Sequence, residues 1–482
     1  MRRAARPPLN RLLASLGKLG VLAALAAVAF ALAATAAQAA ESGVVVNGSA
    51  GLSPQSDGYV ASLGVPWVRG FVPWSDFEQS RGRLNEPALH ALEAGLAGLP
   101  AGTKVILDVV DSPQWETGSS NTATPPRDPQ DYARFVGELA RRLGSRVSAY
   151  EIWNEEDNGG WWTGAPDPGA YAELLQAAYP AIKAAEPNAK VVFGGMTGND
   201  YEFLSAVYDH GARGSFDAVA VHTDSICNSI SPYNALYISG SDRRIDRWAF
   251  LGYRTVHETM LAHGDDSPIW MTELGWSTSR QICDAGAGAG KSPGGVSEET
   301  QALYLRQAYH CLAHDPYVQV GIWYGLSETE PFGTPRGSYG LLDQNLVPKP
   351  AFAALSDYAH DGDSLTEECG TPAPTVKLLR PRTGVRYAST LPIAVSATGR
   401  YPVYMISLYD DGHLIRNFYI HDGLPTLRGS MVWFGARLLR PGRHRLTAKA
   451  IDMRNNVGTT TITIIHAIPR RHGKRRHGHG HG

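Results

Sequence analysis

The feature of this sequence that most constrains its fold is a regular alternation of strand-like and helix-like segments from about residue 43 to residue 358. Such an alternation is typical of a parallel sheet covered by helices. Eight strands are predicted, over residues 43–47, 67–71, 104–109, 148–153, 190–194, 217–221, 268–272 and 319–324. Eight strand–helix units in about 315 residues favour a closed (β/α)8 TIM barrel, an α/β fold, over an open sheet. In such barrels the active site lies at the carboxyl ends of the strands.

Two of the predicted helices have clear start signals. Asp128 and Pro129 begin a helix that Gly144 ends, and Asp167 with Pro168 begins the next. An aspartate at the N-cap accepts backbone hydrogen bonds, and proline suits the first turn because its missing N–H would be unpaired there. Apolar residues then recur at helical spacing, so one face of each helix is expected to pack on the sheet.

The pattern changes after Cys369, where proline and glycine become frequent and helical periodicity disappears. Short strand-like segments between turn signals predict a small all-β sandwich. These segments span residues 393–397, 403–409, 413–419, 431–434 and 445–451. The predicted organisation is an export signal at 1–39, the barrel at 42–360, a linker at 361–373, the sandwich at 374–468 and a disordered basic His/Gly tail at 469–482.

The two ends of the chain are basic and of unusual composition. The first 39 residues contain five Lys and Arg, no acid, an apolar run from Leu19 to Ala37 and a small-residue end at Ala37-Gln38-Ala39. This pattern predicts a cleaved export signal and a secreted or cell-envelope location. The alternative is an uncleaved anchor, because the run approaches the roughly 20 residues that span a bilayer. In the tail, alternating histidines at 477, 479 and 481 could bind a metal weakly, but a solvated low-complexity segment is favoured.

Charge and composition restrict the kinds of partner. Hydrophobic residues make up 43% of the chain and charged residues 19%, as in a globular protein. Without the first 39 and last 13 residues, 34 basic residues stand against 46 acidic ones. A folded part with this net negative charge is not expected to attract nucleic acid or anionic lipid. We therefore expect a monomer with no nucleic-acid partner and no membrane contact apart from the export signal.

Two glutamates are predicted at the ends of barrel strands. Glu155 follows the fourth strand, and Glu273 ends the seventh, each close to tryptophan. Retaining glycosidases use one carboxyl group to protonate the leaving oxygen and another, about 5–5.5 Å away, to attack the anomeric carbon. Strands four and seven face each other across a barrel mouth, so these carboxyl groups could meet at that spacing. Two structural or surface acids are the disfavoured alternative.

The residues around the two glutamates carry a family resemblance. Residues 43–358, with Trp153-Asn154-Glu155 and the run Thr272–Trp276 in this order, resemble the clan A retaining glycoside hydrolases, closest to families 39 and 5. The segment Gly442–Asp452 resembles the last hairpin of bacterial immunoglobulin-like domains. The resemblance implies a (β/α)8 barrel, a sugar substrate and no metal or organic cofactor.

The same resemblance implies a role for each matched residue. Glu155 would be the general acid/base and Glu273 the nucleophile, with Asn154 binding the sugar 2-hydroxyl and Arg69 holding Glu273 ionised. Burial and the neighbouring carboxylate are expected to raise the pKa of Glu155. Opposite environments would thus give the two glutamates opposite roles.

Other matches concern the walls of the pocket. His222 and Trp323, at the ends of the sixth and eighth strands, match residues that line the sugar site, with Trp323 as a stacking floor. A core aromatic is the alternative for Trp323, and a purely structural histidine is the alternative for His222. Trp115, Trp161 and Trp162 lie on predicted loops at the same face, where sugar platforms and loop packing are equally compatible with the sequence.

Two positions depart from the family pattern. Glu156 stands where proline usually follows the acid/base, and we expect its side chain to face solvent. Thr223-Asp224 replaces the usual Pro-Tyr after His222. The tyrosine that commonly contacts the nucleophile is therefore not identifiable, and Tyr233 or Tyr237 could substitute for it.

The four cysteines are compatible with disulfides in an exported protein. No C-x-x-C pair occurs, which disfavours a cysteine metal site, and three pairings are possible from sequence alone. In the barrel, Cys227 and Cys283 would lie on neighbouring loops of the active face and pair. Cys311 and Cys369 would pair at the opposite end.

Taken together, the residues predict an exported retaining glycoside hydrolase, and the resemblance implies that it acts on β-linked oligo- or polysaccharides. One alternative is a transglycosylase with the same residues, in which a sugar hydroxyl replaces water. Another is a catalytically silent carbohydrate-binding protein of the cell envelope.

Overall fold

The computed structural model describes residues 39–46, 53–223, 227, 230–234, 244–283, 290, 294–366, 368–370, 373–399, 402–419, 426–452 and 456–467. The predicted basic tail and all but the last residue of the predicted export signal lie outside the described residues, as do Asp224 and Tyr237. Within the described ranges, no helix combines the length and the hydropathy needed to cross a bilayer.

Eight parallel strands close into a barrel, which confirms the predicted fold of this part of the chain. Their order around the barrel is β1-β10-β9-β8-β7-β6-β5-β2. In chain order the strands are β1 (Glu41–Val45), β2 (Trp67–Pro73), β3 (Glu78–Ser80), β4 (Arg83–Leu84), β5 (Lys104–Val110), β6 (Ala149–Asn154), β7 (Lys190–Thr197), β8 (Val219–His222), β9 (Ile269–Leu274) and β10 (Val318–Trp323). The short strands β3 and β4 form a separate antiparallel pair.

Helices connect the barrel strands. They are α1 (Pro54–Leu63), α2 (Trp74–Phe77), α3 (Glu86–Gly98), α4 (Gln114–Thr117), α5 (Pro129–Leu143), α6 (Pro168–Ala185), α7 (Tyr201–Asp209), α8 (Tyr253–Ala262), α9 (Glu298–His314) and α10 (Pro350–Asp361). The carboxylates of Asp128 and Asp167 accept backbone hydrogen bonds at the starts of α5 and α6, and Gly144 lies at the C-cap of α5. The predicted helix boundaries are thus confirmed, because these caps satisfy amides that have no partner inside the helix.

Side chains that point into the barrel change character along each strand. A cluster of apolar residues that includes Trp67, Ala149 and Trp270 fills the amino-terminal half. Two residues further along the same strands come Arg69, Glu151 and Thr272, all buried. Since side chains alternate with a period of two, these polar residues point into the barrel as well. The barrel therefore has an apolar floor under a charged layer at the carboxyl ends of the strands.

Two sheets follow the barrel, and their strands pair antiparallel except for β12 and β18, which are parallel. A three-stranded sheet has the order β11-β13-β16 and a five-stranded sheet the order β12-β18-β17-β14-β15. These strands are β11 (Thr375–Arg380), β12 (Arg386–Tyr387), β13 (Leu391–Thr398), β14 (Val403–Asp410), β15 (His413–Tyr419), β16 (Thr426–Trp433), β17 (Gly442–Asp452) and β18 (Val457–His466). Both sheets contribute to one apolar core, so this part is an all-β sandwich. Strands β11, β12 and β18 are absent from the sequence prediction.

Two disulfide bonds lie in the barrel region. Cys227 pairs with Cys283, and Cys311 pairs with Cys369. Both predicted pairings are therefore confirmed. The first links loops that follow β8 and β9, at the carboxyl face of the barrel.

Candidate active site

Arg69 is the centre of the charged layer inside the barrel. Its guanidinium is fully buried and donates from Nε to Glu151 at 2.6 Å, from Nη1 to Glu273 at 2.6 Å and from Nη2 to Asp108 at 2.9 Å. Nη2 also donates to Oδ1 of Asn154, at 3.0 Å. Arginine presents several donors in a rigid plane, which suits it to orient several carboxylates at once. Arg69 thus fixes the positions of Glu273 and Asn154.

Glu155 and Glu273 lie in different electrostatic environments. Glu273 is ion-paired with Arg69, and this contact favours its charged form. Burial raises the pKa of Glu155 to about 7, although Arg69 and a hydrogen bond from Asn158 act in the opposite direction. Its side chain is nevertheless 16% exposed, so Glu155 is not sealed off from solvent. One glutamate can therefore be charged while the other keeps its proton near neutral pH.

His222 lies between the two glutamates. Its Nδ1 is 3.2 Å from Oε1 of Glu155 and 3.8 Å from Oε2 of Glu273. One carboxylate oxygen from each glutamate and a ring nitrogen of His222 all lie within 4.8 Å of one another. Burial lowers the pKa of His222, so the ring is neutral at pH 7. The two carboxyl groups are therefore near neighbours, as a mechanism that uses two carboxyl groups on one glycosidic bond requires.

The backbone at the end of β6 adopts unusual conformations. Trp153 has φ 71° and Glu155 has φ 46°, in the left-handed region that non-glycine residues seldom enter. The backbone N–H of Glu155 donates to the carbonyl of Gly195 at 3.2 Å, and Nε1 of Trp153 donates to the carbonyl of Trp161 at 2.9 Å. These contacts hold a strained turn that directs Glu155 towards Glu273.

Two neighbouring glycines on β7 make room for this arrangement. A methyl group on Gly195 would overlap the ring of His222, and one on Gly194 would overlap the carboxylate of Glu156. Neither glycine has a positive φ, so their small size and not their backbone freedom is what the site requires. No sequence signal separated this pair from the other glycines of the chain.

The position of Glu156 corrects the sequence prediction. The side chain is fully buried instead of facing solvent, and its carboxylate oxygens have no hydrogen-bond partner among the described residues. Burial, reinforced by the nearby charge of Asp157, raises the pKa of Glu156 well above its ordinary value. The prediction was wrong because the turn after β6 directs this residue back towards Gly194. Glu156 is thus a neutral acid packed behind the site.

The tryptophans divide into two groups. Trp323 and Trp162 are buried, at 0% and 3% exposure, so neither presents an open ring face. Trp323 packs against Trp276, and Trp162 packs between Trp153 and Tyr171. The core and loop-packing interpretations therefore replace the stacking floor and the platform for these two residues.

The other two tryptophans are half-buried. Trp161 stacks on Phe71 with ring centroids 6.5 Å apart, and Phe71 in turn lies against the guanidinium of Arg69. Trp115 donates to the carbonyl of Glu78 and packs on Trp74. Trp161 is the aromatic side chain of the predicted set that connects most directly to the charged layer.

Three contributors were missed in the sequence. Asp108 and Glu151 pair in register on β5 and β6 and both bind Arg69, and Asn158 donates to Oε2 of Glu155 at 3.2 Å. The first two carried a usable signal, since a charged residue inside an apolar strand must find a buried partner. Tyr233, one of the two candidate tyrosines, packs against His310 on α9.

Two further clusters of potential metal ligands occur among the described residues. They are His310–His314–Asp363 and Asp410–Asp411–His444, in addition to the two glutamates with His222. In the cluster of Glu155, Glu273 and His222, the glutamates already have contacts with His222 and Arg69.

Comparison with known proteins places the fold. No family model and no curated protein matches the sequence. The chain is similar to a solved family 39 glycoside hydrolase from Bacteroides cellulosilyticus WH2, at 17% identity and a TM-score of 0.51, covering 83% of this chain and 81% of that one. It is also similar to a GH39 β-xylosidase from Caulobacter crescentus, at 19% identity and a TM-score of 0.50, covering 78% and 84%.

A third structure comes from the other family that the sequence resembles. GH5_18 from Streptomyces cattleya, solved in complex with GlcNAc, matches at 19% identity and a TM-score of 0.50, covering 72% of this chain and 84% of that one. At these identities the likeness establishes the barrel fold shared with glycoside hydrolases.

Proposed function

We propose that this protein is a retaining glycoside hydrolase in which Glu155 is the general acid/base and Glu273 the nucleophile. The proposal rests on one observation, the different environments of the neighbouring carboxyl groups of Glu155 and Glu273. Two carboxyl groups face each other within reach of one anomeric carbon, one with a pKa near 7 and the other ion-paired with Arg69. Pairs of acids whose environments push their pKa values apart are typical of acid/base assignments in enzymes.

In the first step, an oxygen of Glu273 attacks the anomeric carbon while the carboxylic acid of Glu155 gives its proton to the glycosidic oxygen. The bond between the anomeric carbon and that oxygen breaks, and the leaving sugar departs as an alcohol. A covalent bond then joins the glycosyl group to Glu273. Arg69 holds the attacking carboxylate charged and oriented before this step.

In the second step, Glu155 is ionised and accepts a proton from an incoming water. The water oxygen bonds to the anomeric carbon, the ester bond to Glu273 breaks, and both carboxyl groups return to their initial states. The neutral ring of His222, next to both carboxyl groups, favours proton exchange at Glu155 without adding a positive charge between them.

The proposed substrates are β-linked oligo- or polysaccharides, and the proposed location is outside the cell. Support for the substrate comes from the motif resemblance and from the structural neighbours, which include a β-xylosidase. Support for the location comes from the predicted export signal and from two disulfides, which persist in oxidising compartments. Asn154 and Trp161 are the proposed sugar contacts.

The test uses the chain from residue 40 with a panel of β-linked aryl glycosides and oligosaccharides. Glu273→Gln is expected to lose activity by a factor on the order of 10³ or more on every cleaved substrate. Glu155→Gln is expected to lose activity on natural oligosaccharides but to keep it in part on aryl glycosides with good leaving groups, which need no proton.

Glu156→Gln is the matched control, because the adjacent glutamate is buried, neutral and replaced by an isosteric neutral amide. It is expected to keep activity within about twofold. Equal losses in all three variants would contradict the assignment of roles.

A further inference from the structure

The charges of this chain divide sharply between its two folded parts. Residues 42–360 contain 21 Lys and Arg against 37 Asp and Glu, whereas residues 374–468 contain 13 Lys and Arg against four Asp. The net charge of the two folded parts together is negative, but the sandwich by itself is positively charged.

Three of these 13 cations lie on the outer face of the five-stranded sheet. β17 is its central strand, and every second residue from 443 to 449 points away from the core: Arg443, Arg445, Thr447 and Lys449. The alternate residues, such as Leu446 and Ala448, are fully buried. One strand therefore presents three cations, with Thr447 between the second and the third, on one surface.

Neighbouring strands extend this surface, which we call the β17 face. The register places Thr463 beside Arg445, Thr461 beside Thr447, and Thr459 beside Lys449. The hydroxyls of Thr447 and Thr461 lie 3.0 Å apart across the strands, which confirms that they share a face. On the other side of β17, Tyr409 pairs with Thr447, and its ring centroid lies 5.1 Å from the ammonium nitrogen of Lys449.

Carboxylates are scarce around the β17 face in the part of the sandwich that the structure describes. Arg443 and Arg445 are exposed and form no ion pair with a carboxylate among the described residues. Asp411, at one end of the row, accepts from the backbone N–H of Arg445 and faces Nδ1 of His444 at 2.8 Å. Of the other described acids of the sandwich, Asp410 and Asp452 are buried. Among the described acids of the sandwich, Asp411 alone is exposed near Arg443 and Arg445, so the charges of these two arginines are compensated only at one end of the row.

We propose that the β17 face binds an anionic polysaccharide whose sugars carry carboxylates. Rows of cations spaced along a strand suit repeated negative charges on a polymer, and the threonine hydroxyls and Tyr409 offer hydrogen bonds and a ring for the sugar units. The choice of a sugar polymer over nucleic acid rests on the proposed function and on the disulfides, which indicate an oxidising compartment. The surface would hold the barrel close to a charged matrix.

The test measures binding of the full chain to labelled polygalacturonate as a function of salt. We expect binding that weakens steeply as salt rises, and none to a neutral β-glucan of similar length through this face. Arg443→Glu with Arg445→Glu is expected to weaken binding at least about tenfold, because two attractions become repulsions.

The matched control is Lys377→Glu with Arg428→Glu. These exposed cations flank Ser396 on the outer face of the three-stranded sheet, and the pair changes the net charge by the same amount. It is expected to weaken binding less than about threefold. Both double variants keep the basic tail, so a difference between them reports on the face alone. Equal weakening in the two variants would overturn the proposal.

Two other occupants are tested by the same proteins. Double-stranded DNA bound as tightly as polygalacturonate at equal salt would overturn the choice of polymer. If the protein self-associates and the double variant Arg443→Glu with Arg445→Glu abolishes this association, the β17 face binds the acidic barrel of a second copy and the polysaccharide proposal is overturned. Activity on small aryl glycosides is expected to be unchanged in both double variants. If the protein cleaves these glycosides but does not bind the polymer, only the proposal of a polymer-binding face is contradicted. If it binds the polymer but cleaves no glycoside, only the proposed function is contradicted.

Discussion

The barrel and the sandwich place their charged side chains in opposite ways. In the barrel, Arg69 is fully buried with Glu151 and Asp108, and each of these groups depends on the others for its partners. In the sandwich, Arg443 and Arg445 project into solvent from an apolar core that does not need them. Buried charges cost free energy unless they are paired, whereas exposed charges cost little and are screened by salt.

This contrast separates two kinds of site. The barrel holds a small number of groups in one geometry, as chemistry on a single bond requires. The sandwich offers a row of similar charges, as attraction of a polymer requires. Substitutions should therefore damage the barrel through geometry and the sandwich only through charge.

The largest effect is expected for Arg69→Met. Removing the guanidinium leaves the buried carboxylates of Glu151 and Asp108 without their partner, which costs about 3–5 kcal/mol of unfolding free energy, and activity is lost with it. The measurement is unfolding followed by tryptophan fluorescence for the barrel, since ten of the 11 tryptophans precede residue 370, and by far-ultraviolet circular dichroism for the sandwich. Arg443→Met is the sandwich counterpart, with an expected change within about 0.5 kcal/mol. Comparable losses of unfolding free energy in the two variants would contradict the difference proposed between buried and exposed charges.

A second effect concerns Gly195→Ala. The added methyl group would displace His222 and disturb its contact with Glu155, so we expect kcat/KM to fall about 10- to 100-fold. Gly70→Ala is the control, because this buried strand glycine has no atom within 4 Å of the added methyl position. Steady-state kinetics on one aryl glycoside compare the two. Full activity in Gly195→Ala would show that the close packing around His222 is not required.

The pH profile should show the state of Glu155. Its pKa is about 7 because of burial, so kcat/KM should decrease about tenfold per pH unit above that value as the acid loses its proton. The same raised pKa means that the folded chain holds this proton more tightly than the unfolded chain, so this contribution to stability declines as pH rises from about 4.5 to about 7. Glu155→Gln should remove the alkaline limb on aryl glycosides with good leaving groups. An unchanged limb in that variant would assign it to another residue.

The smallest effect on turnover is expected when residues 371–482 are deleted. If the barrel alone performs the chemistry, activity on small soluble glycosides should stay within about twofold, while binding to polygalacturonate should be lost. Kinetics and binding on the same truncated protein measure both. Loss of turnover on small glycosides would show that the sandwich contributes to the active site.

The sequence predicted the elements better than the contacts between them. Strand periodicity and caps such as Asp128 are local signals, so the barrel and its helix boundaries could be predicted directly. The motif resemblance brought Arg69, Glu155 and Glu273 together without any geometry. The burial of Glu156 could not be predicted, because a single left-handed turn after β6 decides which way its side chain points.

The same limit applies to rings and to charge. Trp323 lies at a strand end, where a ring can face either the pocket or the core, and only the packing of Trp276 settles it. The cationic β17 face was hidden because net charge was summed over both folded parts. Counting each part separately would have revealed it from sequence.

The most direct test of the central claim is to trap the intermediate on the enzyme. A 2-deoxy-2-fluoro glycoside with a good leaving group, matched to the best substrate of the panel, should slow the second step and leave the glycosyl group attached. Mass spectrometry of the digested protein is predicted to find the added sugar on Glu273. Turnover with inversion of the anomeric centre, or a sugar attached to Glu155 instead, would contradict the account.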